Sequence, residues 1–136
     1  MHNVGAIFRS CAAFGVEHLY LTGITATPPR KEIAKTALGA EHLVAWSSGE
    51  IADVIARVRQ AGYTPVALET GADAVSLHEA RFDKVALVLG NEVEGLDAEA
   101  LQLCDSKVMI PMAKKQSLNV SVACGVALYA LTLGRS

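Results

Sequence analysis

The sequence lacks the short signatures that identify many enzyme classes. It contains no GxGxxG, GxxxxGK[ST], HExxH or GxSxG pattern, so the usual dinucleotide, P-loop phosphate, zinc-protease and acyl-enzyme sites are excluded. Metal-ligand spacing is also missing, because the histidines are scattered at His2, His18, His42 and His78. We therefore expect these histidines to be surface or capping residues, and we expect no metal site.

Aromatic residues and cysteines are scarce as well. Aromatics make up 5% of the 136 residues, whereas 51% are hydrophobic, so the core must be built mostly from Ala, Val, Leu and Ile. Such a core suits helices packed on a parallel sheet. The three cysteines, Cys11, Cys104 and Cys124, lie in apolar sequence without CxxC spacing. We interpret them as free buried thiols in a reducing compartment.

The sequence also lacks a large excess of either charge and lacks long apolar runs. The net charge is -2, so nucleic-acid binding would depend on local clusters. Arg30, Lys31 and Lys35 follow a Pro-Pro turn, and Lys114-Lys115 form a second cluster; ordinary surface charge is the alternative for both. The apolar run 120–133 is too short to span a bilayer, and no signal peptide is recognisable. These features predict a cytoplasmic protein without membrane contact.

Alternation of apolar strands with helical patterns predicts one α/β domain over residues 1–136, with a mostly parallel sheet covered by helices on both faces. Asn3, Ser47 or Ser48, Asp97 and Ser117 are the predicted helix N-caps. The predicted helices are 2–15, 31–38, 49–61, 97–103 and 117–133, and the predicted strands are 17–22, 42–46, 64–69, 84–89 and 107–111, with a loop and a turn of helix at 71–81.

Parallel sheets bind ligands at the carboxyl ends of their strands. Three such ends are rich in polar or small residues: Glu69-Thr70-Gly71, Gly90-Asn91-Glu92 and Pro111-Met112. An ordinary helix-capping turn is the alternative for the second. The third leads into a helix that begins with Ser117, Asn119 and Ser121, where capping by Ser117 explains only the first residue. The stripe of residues 117, 121 and 125 permits close helix packing.

Arg9 is the remaining candidate. It follows Gly5 and Ala6 and precedes Ala12 and Ala13 on the first predicted helix, so a long cation rises from a face of very small residues. Such a cation can reach a ligand or a second backbone. A surface arginine on an Ala-rich helix is the alternative.

Together these stretches resemble the SpoU (TrmH-type) RNA methyltransferases of the SPOUT class. The family motif Asn-x-Gly-x-x-x-Arg matches Asn3, Gly5 and Arg9. The motif Gly-Asn-Glu-x-x-Gly after an apolar strand matches residues 90–95. The motif Ile-Pro-Met, followed by Ser-Leu-Asn-Val-Ser-x-Ala, matches residues 110–112 and 117–123. The segment 28–32 resembles a subgroup of short members without an added RNA-binding domain.

The resemblance implies a fold in which the carboxyl-terminal part forms a deep trefoil knot, against the general rule that chains avoid knots. It also implies a homodimer with the active site at the subunit interface. Family members carry a strand before the first motif; only Met1 and His2 precede Asn3 here, so we expect that strand to be absent from this chain.

The implied reaction transfers a methyl group from S-adenosyl-L-methionine (AdoMet) to a ribose 2′-hydroxyl of tRNA or rRNA. Arg9 would act by electrostatics and positioning, since an arginine is a poor base. Glu92 would brace Arg9 or Asn3, while Ser117 and Asn119 would orient the ribose or the cofactor carboxylate. The expected cofactor-binding residues are Glu69, Thr70, Gly90, Asn91, Ile110, Met112, Ser117 and Leu118, and the expected RNA-binding residues are Arg9, Arg30, Lys31, Lys35, Lys114 and Lys115.

Two other functions stay open from the sequence. One is an RNA- or AdoMet-binding protein of the same fold with weak or no catalysis. The other is a knotted enzyme that methylates a base nitrogen, although the relatives of that kind lack the Asn-x-Gly-x-x-x-Arg opening.

Overall fold

Helices and strands alternate along the chain in the computed structural model, which describes residues 2–23, 25–69, 73–90, 96–114 and 118–132. Short 3-10 helices lie at Ala40–His42 and Leu77–Glu79. The elements are α1 (His2–Ala13), β1 (His18–Thr22), α2 (Lys31–Ala37), β2 (Ala45–Gly49), α3 (Ile51–Gln60), β3 (Thr64–Leu68), β4 (Val75–Ser76), β5 (Val85–Val88), α4 (Ala98–Leu103), β6 (Ser106–Met109) and α5 (Val120–Leu131).

All strand pairs among the described residues are parallel. β1 pairs with β2, and the other strands form a sheet in the order β4-β6-β3-β5. The mixed α/β class with parallel pairing is therefore confirmed. The strands divide into two sheets, however, whereas the sequence pattern led us to expect one.

Two clusters of buried side chains hold the fold together. The N-terminal core is centred on Phe8 and Ile33, and the C-terminal core is centred on Val66 and Val108; all four side chains are fully buried. Helix α5 belongs to both, because Cys124 and Leu128 join the first cluster while Ala127 and Leu131 join the second. α5 thus connects the two halves of the molecule.

Helices α1 and α2 cross at Gly5 with almost no space between them. A Cβ atom on Gly5 would lie 1.8 Å from Thr36 Oγ1, 2.5 Å from Ile33 O and 2.9 Å from Ala37 N. Two of these three atoms are backbone, so a side chain here would force the helices apart. The absence of a side chain at Gly5 therefore sets the distance between α1 and α2.

The predicted strand 42–46 and the predicted cap of the next helix were wrong. His42 closes a 3-10 turn, since its N–H donates to Gly39 O at 3.1 Å, and the strand begins three residues later at Ala45. Ser47 and Ser48 lie inside β2. Ser47 Oγ contacts His18 Nε2 at 2.9 Å across the β1–β2 pair, so Ser47 is a cross-strand contact, and Glu50 occupies the N-cap position of α3.

The cap predicted at Asp97 is confirmed. Its Oδ1 accepts a hydrogen bond from Ala100 N at 2.8 Å, which satisfies one backbone donor in the first turn of α4.

The thiols are free, but they are not equally buried. Cys11 and Cys124 are buried, and loss of solvation raises their pKa values to about 11 and about 12. Cys104 is only half-buried, so the prediction of three buried cysteines was wrong there, because its position after α4 leaves it near the surface. No helix in the described ranges has both the length and the apolar character needed to cross a bilayer.

Candidate active site

The carboxyl ends of β3, β5 and β6 meet at one edge of the four-stranded sheet. Ala67 of β3 is in register with Val88 of β5, and Leu68 is in register with Val108 of β6. Because all three strands are parallel, the residues that follow them leave the sheet on the same side. Glu69, Gly90 and Ile110 therefore follow the carboxyl ends of neighbouring strands.

The backbone at this edge is paired in part. Glu69 N still donates to Val108 O at 3.0 Å, so the pairing between β3 and β6 continues one residue past the strand. Beyond it, Gly90 and Ile110 are half-buried, and neither forms a backbone hydrogen bond to another described residue. Half-buried backbone groups need partners, so a ligand seated here can supply them.

The N-terminus of α5 is capped by Asn119. Its Oδ1 accepts hydrogen bonds from Ser121 N at 2.9 Å and from Ser121 Oγ at 2.5 Å. The prediction of a cap at Ser117 was therefore wrong, because the helix begins at Val120 and Asn119 is the residue that reaches its first free N–H groups. Capping also explains Asn119 and Ser121, which the sequence pattern left without a structural reason.

Helices α1 and α5 lie side by side and run in the same direction. Ser10 Oγ would lie 3.4 Å from a Cβ on Gly125, and the rings of Phe14 and Tyr129 meet edge to face with centroids 6.1 Å apart. These contacts advance together along the two helices. The N-terminal turns, with Asn3 on α1 and Asn119 ahead of α5, therefore lie at the same end of the helix pair.

Asn3 has a different local role from the one predicted. It lies inside α1, which begins at His2, so it is not the N-cap. The helix starts before the motif, and the half-buried side chain of Asn3 is carried by its first turn.

Arg9 is an exposed cation on α1, one helical turn after Gly5. No salt bridge or hydrogen bond joins its side chain to another candidate residue within the described ranges. Its guanidinium is thus open to an anionic or polar partner from outside this group.

The cations proposed for RNA binding lie on the surface. Arg30, Lys31 and Lys35 are exposed at and along α2, and Lys114 is exposed after β6. Met112 is half-buried and Leu118 is 42% exposed. Five predicted site residues lie outside the described residues: Thr70, Asn91, Glu92, Lys115 and Ser117.

Two residues of this region escaped sequence reasoning. Gly5 was noted only as a small neighbour of Arg9, and its contact with α2 requires the packing of two helices. Leu38, the C-cap of α2, is 69% exposed and adopts a left-handed backbone conformation with φ 53° and ψ 46°. The following Gly39 was a signal for a helix end, but nothing in the sequence marked the leucine.

A separate charged cleft lies at the amino end of β6. Lys107 Nζ donates to Asp73 Oδ2 at 2.9 Å, and this hydrogen bond lowers the pKa of Asp73. Arg59 donates to Asp105 Oδ1 at 2.5 Å nearby. Because Ser106 opens β6 at this end, the cleft lies toward the opposite end of the strand from the carboxyl edge, and its charges are already paired. It is lined by Asp73, Val75, Cys104, Asp105, Ser106 and Lys107.

No group of three or more metal-ligating side chains occurs among the described residues. What the geometry offers is a row of half-buried backbone groups at the carboxyl edge of a parallel sheet, a capped helix N-terminus and an exposed arginine. This arrangement makes the carboxyl edge a candidate site, because parallel α/β proteins bind small organic ligands at the ends of their strands.

Comparison with known proteins identifies the family. Residues 1–129 match the model of the SpoU rRNA Methylase family, and the chain belongs to that family. It is 35% identical over 134 residues to the tRNA (guanosine(18)-2′-O)-methyltransferase of Aquifex aeolicus, covering 94% of this chain and 62% of that protein. It is also 35% identical over 135 residues to the 23S rRNA (guanosine-2′-O-)-methyltransferase RlmB of Acinetobacter baylyi, covering 94% and 53%.

The fold agrees with a solved structure from the same family. The SpoU methyltransferase AviRb of Streptomyces viridochromogenes, in complex with the cofactor AdoMet, superposes with a TM-score of 0.87 at 29% identity, covering 98% of this chain and 56% of that one. The chain thus spans a little over half the length of these three relatives.

Proposed function

We propose that this protein transfers a methyl group from AdoMet to a ribose 2′-hydroxyl of tRNA or rRNA. The observation that carries the proposal is the convergence of Glu69, Gly90 and Ile110 at one carboxyl edge, in a chain of the SpoU family. The two RNA 2′-O-methyltransferases described above support the reaction, and the AdoMet complex of AviRb supports the cofactor.

The residues at the edge suit AdoMet. Its adenine and ribose carry polar edges that backbone N–H and C=O groups recognise, and Gly90 and Ile110 provide such groups without a partner among the described residues. The apolar side chain of Ile110 packs against the C-terminal core, so apolar side chains border this edge. Glu69, Met112 and Leu118 complete the predicted wall, together with Thr70, Asn91 and Ser117.

AdoMet supplies an electrophilic methyl group on a sulfonium. That methyl group would pass to the ribose 2′-oxygen, with the electron pair of the methyl–sulfur bond kept by sulfur and the hydroxyl proton taken up by solvent water. Arg9 holds the RNA backbone and stabilises the negative charge that develops on the 2′-oxygen. Asn119, at the shared end of α1 and α5, orients the ribose together with Asn3, and Glu92 and Ser117 support them.

Replacement of Arg9 tests this mechanism. We expect Arg9→Ala to lower methyl transfer by at least about 100-fold, as loss of a transition-state donor does, while the Kd for AdoMet stays unchanged. Transfer of a tritiated methyl group to unfractionated tRNA and rRNA measures the first quantity, and calorimetry measures the second. Arg57→Ala, which removes an exposed arginine of α3, is the matched control. Full activity of Arg9→Ala would refute the assignment.

The same assay decides between the open alternatives. AdoMet binding without methyl transfer to any RNA would favour a binding protein. Nucleoside analysis of the labelled product distinguishes ribose methylation from base methylation.

We also propose that the active enzyme is a homodimer. Leu118, just before α5, is 42% exposed, and exposed apolar side chains lie on α5 at positions 122, 126 and 129, with exposures of 51, 41 and 56%. This spacing places them in one stripe along the helix, next to the candidate site, and a second copy of the chain would cover it. Val126→Lys should therefore produce a monomer with reduced activity in sedimentation and transfer assays. Val75→Lys, at a 47% exposed position on β4, should not.

Three further features stay predictions. One is that residues 1–136 belong to a single methyltransferase domain whose carboxyl-terminal part is knotted; the loop predicted to take part in the crossing includes residues 115 and 116, outside the described residues. Another is contact of RNA phosphates with Lys114 and Lys115. The last is a cytoplasmic location.

A further inference from the structure

The outer face of α2 combines positive charge with an exposed apolar side chain. Lys31, Ala34, Lys35 and Leu38 are all exposed and recur at i, i+3, i+4 and i+7, so they form one face. Ile33 and Ala37 are buried on the opposite side. The face ends at Leu38, directly before Gly39.

Leu38 is held in an unfavourable backbone conformation for a leucine. Its φ of 53° lies in the left-handed region, where Gly or Asn is the usual residue after a helix. The side chain is 69% exposed, so packing inside the chain does not compensate for this conformation. A glycine would therefore suit the fold better than the leucine that is present, and this points to a contact outside the chain.

The charge around Leu38 favours a nucleic acid as that contact. No described residue forms a salt bridge with Arg30, Lys31 or Lys35, so these cations are free to bind phosphates. An apolar side chain beside phosphate-binding cations fits an RNA segment whose bases are unstacked and accessible. Duplex RNA hides its bases and is recognised by shape and backbone instead.

This face is rigidly connected to Arg9. α2 rests on α1 at Gly5, with contact distances that leave no room for a methyl group, and Arg9 follows Gly5 by one turn on α1. A nucleotide bound at α2 and a ribose held by Arg9 would thus keep a constant separation.

We propose that the face formed by Lys31, Lys35 and Leu38 binds a single-stranded part of the RNA substrate, with the lysines on phosphates and Leu38 against an unstacked base. The proposal rests on the RNA methyltransferase function proposed above and names the form of RNA that the enzyme takes.

Leu38→Gly is the decisive variant, because it removes the side chain and also suits the left-handed backbone conformation at this position. The full chain is titrated against a fluorescein-labelled 15-nucleotide RNA of mixed sequence and against the same strand annealed to its complement. We expect Leu38→Gly to weaken single-strand binding about fivefold or more, with little effect on the duplex and no loss of thermal stability. Leu38→Met keeps a long apolar side chain and should retain single-strand binding. Val75→Ala, at another exposed apolar position, should leave binding unchanged.

The lysines are tested by salt dependence. Lys31→Ala with Lys35→Ala should weaken single-strand binding and reduce the slope of log K against log salt by roughly 1.4, about 0.7 for each lost phosphate contact. For Leu38→Gly the slope should not change.

Two results would overturn the inference: equal single-strand affinity of Leu38→Gly and wild type, or a change in oligomeric state on sedimentation, which would make Leu38 a protein contact. Failure of the proposed function is separate, because it is measured on the wild type. If wild-type protein methylates neither tRNA nor rRNA, the function is wrong. If it does so while Leu38→Gly keeps the wild-type KM for RNA, only the present inference fails.

Discussion

The N-terminal and C-terminal cores use similar apolar residues but hold different surfaces in place. Around the N-terminal core, helices α1 and α2 present the side chains of Arg9, Lys31 and Lys35 to solvent. Around the C-terminal core, strands β3, β5 and β6 end together and offer backbone groups. Side-chain cations suit a charged polymer, whereas a row of backbone groups suits a small polar ligand. The two halves thus present surfaces of different chemistry.

The contact between α1 and α2 is tighter than the contact between α1 and α5, as the surroundings of one glycine in each contact show. Gly5→Ala adds a methyl group where three atoms already lie within 3 Å, so the free energy of unfolding should fall by about 1–3 kcal/mol. A displaced α2 should also raise the KM for RNA more than it lowers kcat. Chemical denaturation and transfer kinetics check the two effects.

Gly125→Ala is the matched control. Among the described residues outside α5, the new methyl group would approach Ser10 Oγ alone, at 3.4 Å, and alanine is the better helix former by about 1 kcal/mol. We expect unchanged or slightly higher stability. A loss equal to that of Gly5→Ala would show that the two helix contacts are equally tight and would remove this contrast.

The cap of α5 separates a structural role from a functional one. Asn119→Ala removes the acceptor of Ser121 N and should lower the free energy of unfolding by about 1 kcal/mol. Asn119→Asp keeps a capping oxygen and should retain stability, but it replaces the amide nitrogen that would orient the ribose. Low methyl transfer by a stable Asn119→Asp protein supports the orienting role; wild-type transfer would limit Asn119 to capping.

The smallest expected effect is the pH dependence of the β1–β2 pair. Burial, and then the nearby Arg57, lower the pKa of His18 below its ordinary value of 6.5, so the unfolded chain binds this proton more readily. Its contribution to stability is complete above pH 6.5 and is lost as the pH falls through the folded pKa. The stability of the wild type should therefore drop more between pH 7 and 5 than that of His18→Gln. Equal drops in denaturant titrations would contradict this.

The strand ends that form the candidate site could be predicted from the sequence because they depend on local order along the chain. An apolar strand followed by Gly90, or by Ile110 and a proline, signals a strand end by composition alone. Parallel strands then place those ends at one edge. Asp97 was recognised as a cap for the same reason, since capping needs only a short acceptor three residues before a free N–H.

Errors arose where two signals competed locally. Ser47 and Ser48 resemble helix caps, but Ser47 lies in a strand and contacts His18 on the neighbouring strand. Ser117 and Asn119 both suit a cap, and the start of α5 at Val120 selected Asn119. In each case the backbone position of a neighbouring element, which the local residues do not encode, decided the outcome.

The sequence by itself determined the α/β class, the family and the identity of the residues at the strand ends, because periodicity and motifs are properties of chain order. Only the tertiary structure decided the contact of Gly5 with α2, the shared end of α1 and α5, and the exposure of Leu38. Each depends on distances between segments far apart in sequence, which are set by the packing of whole helices and not by any single stretch.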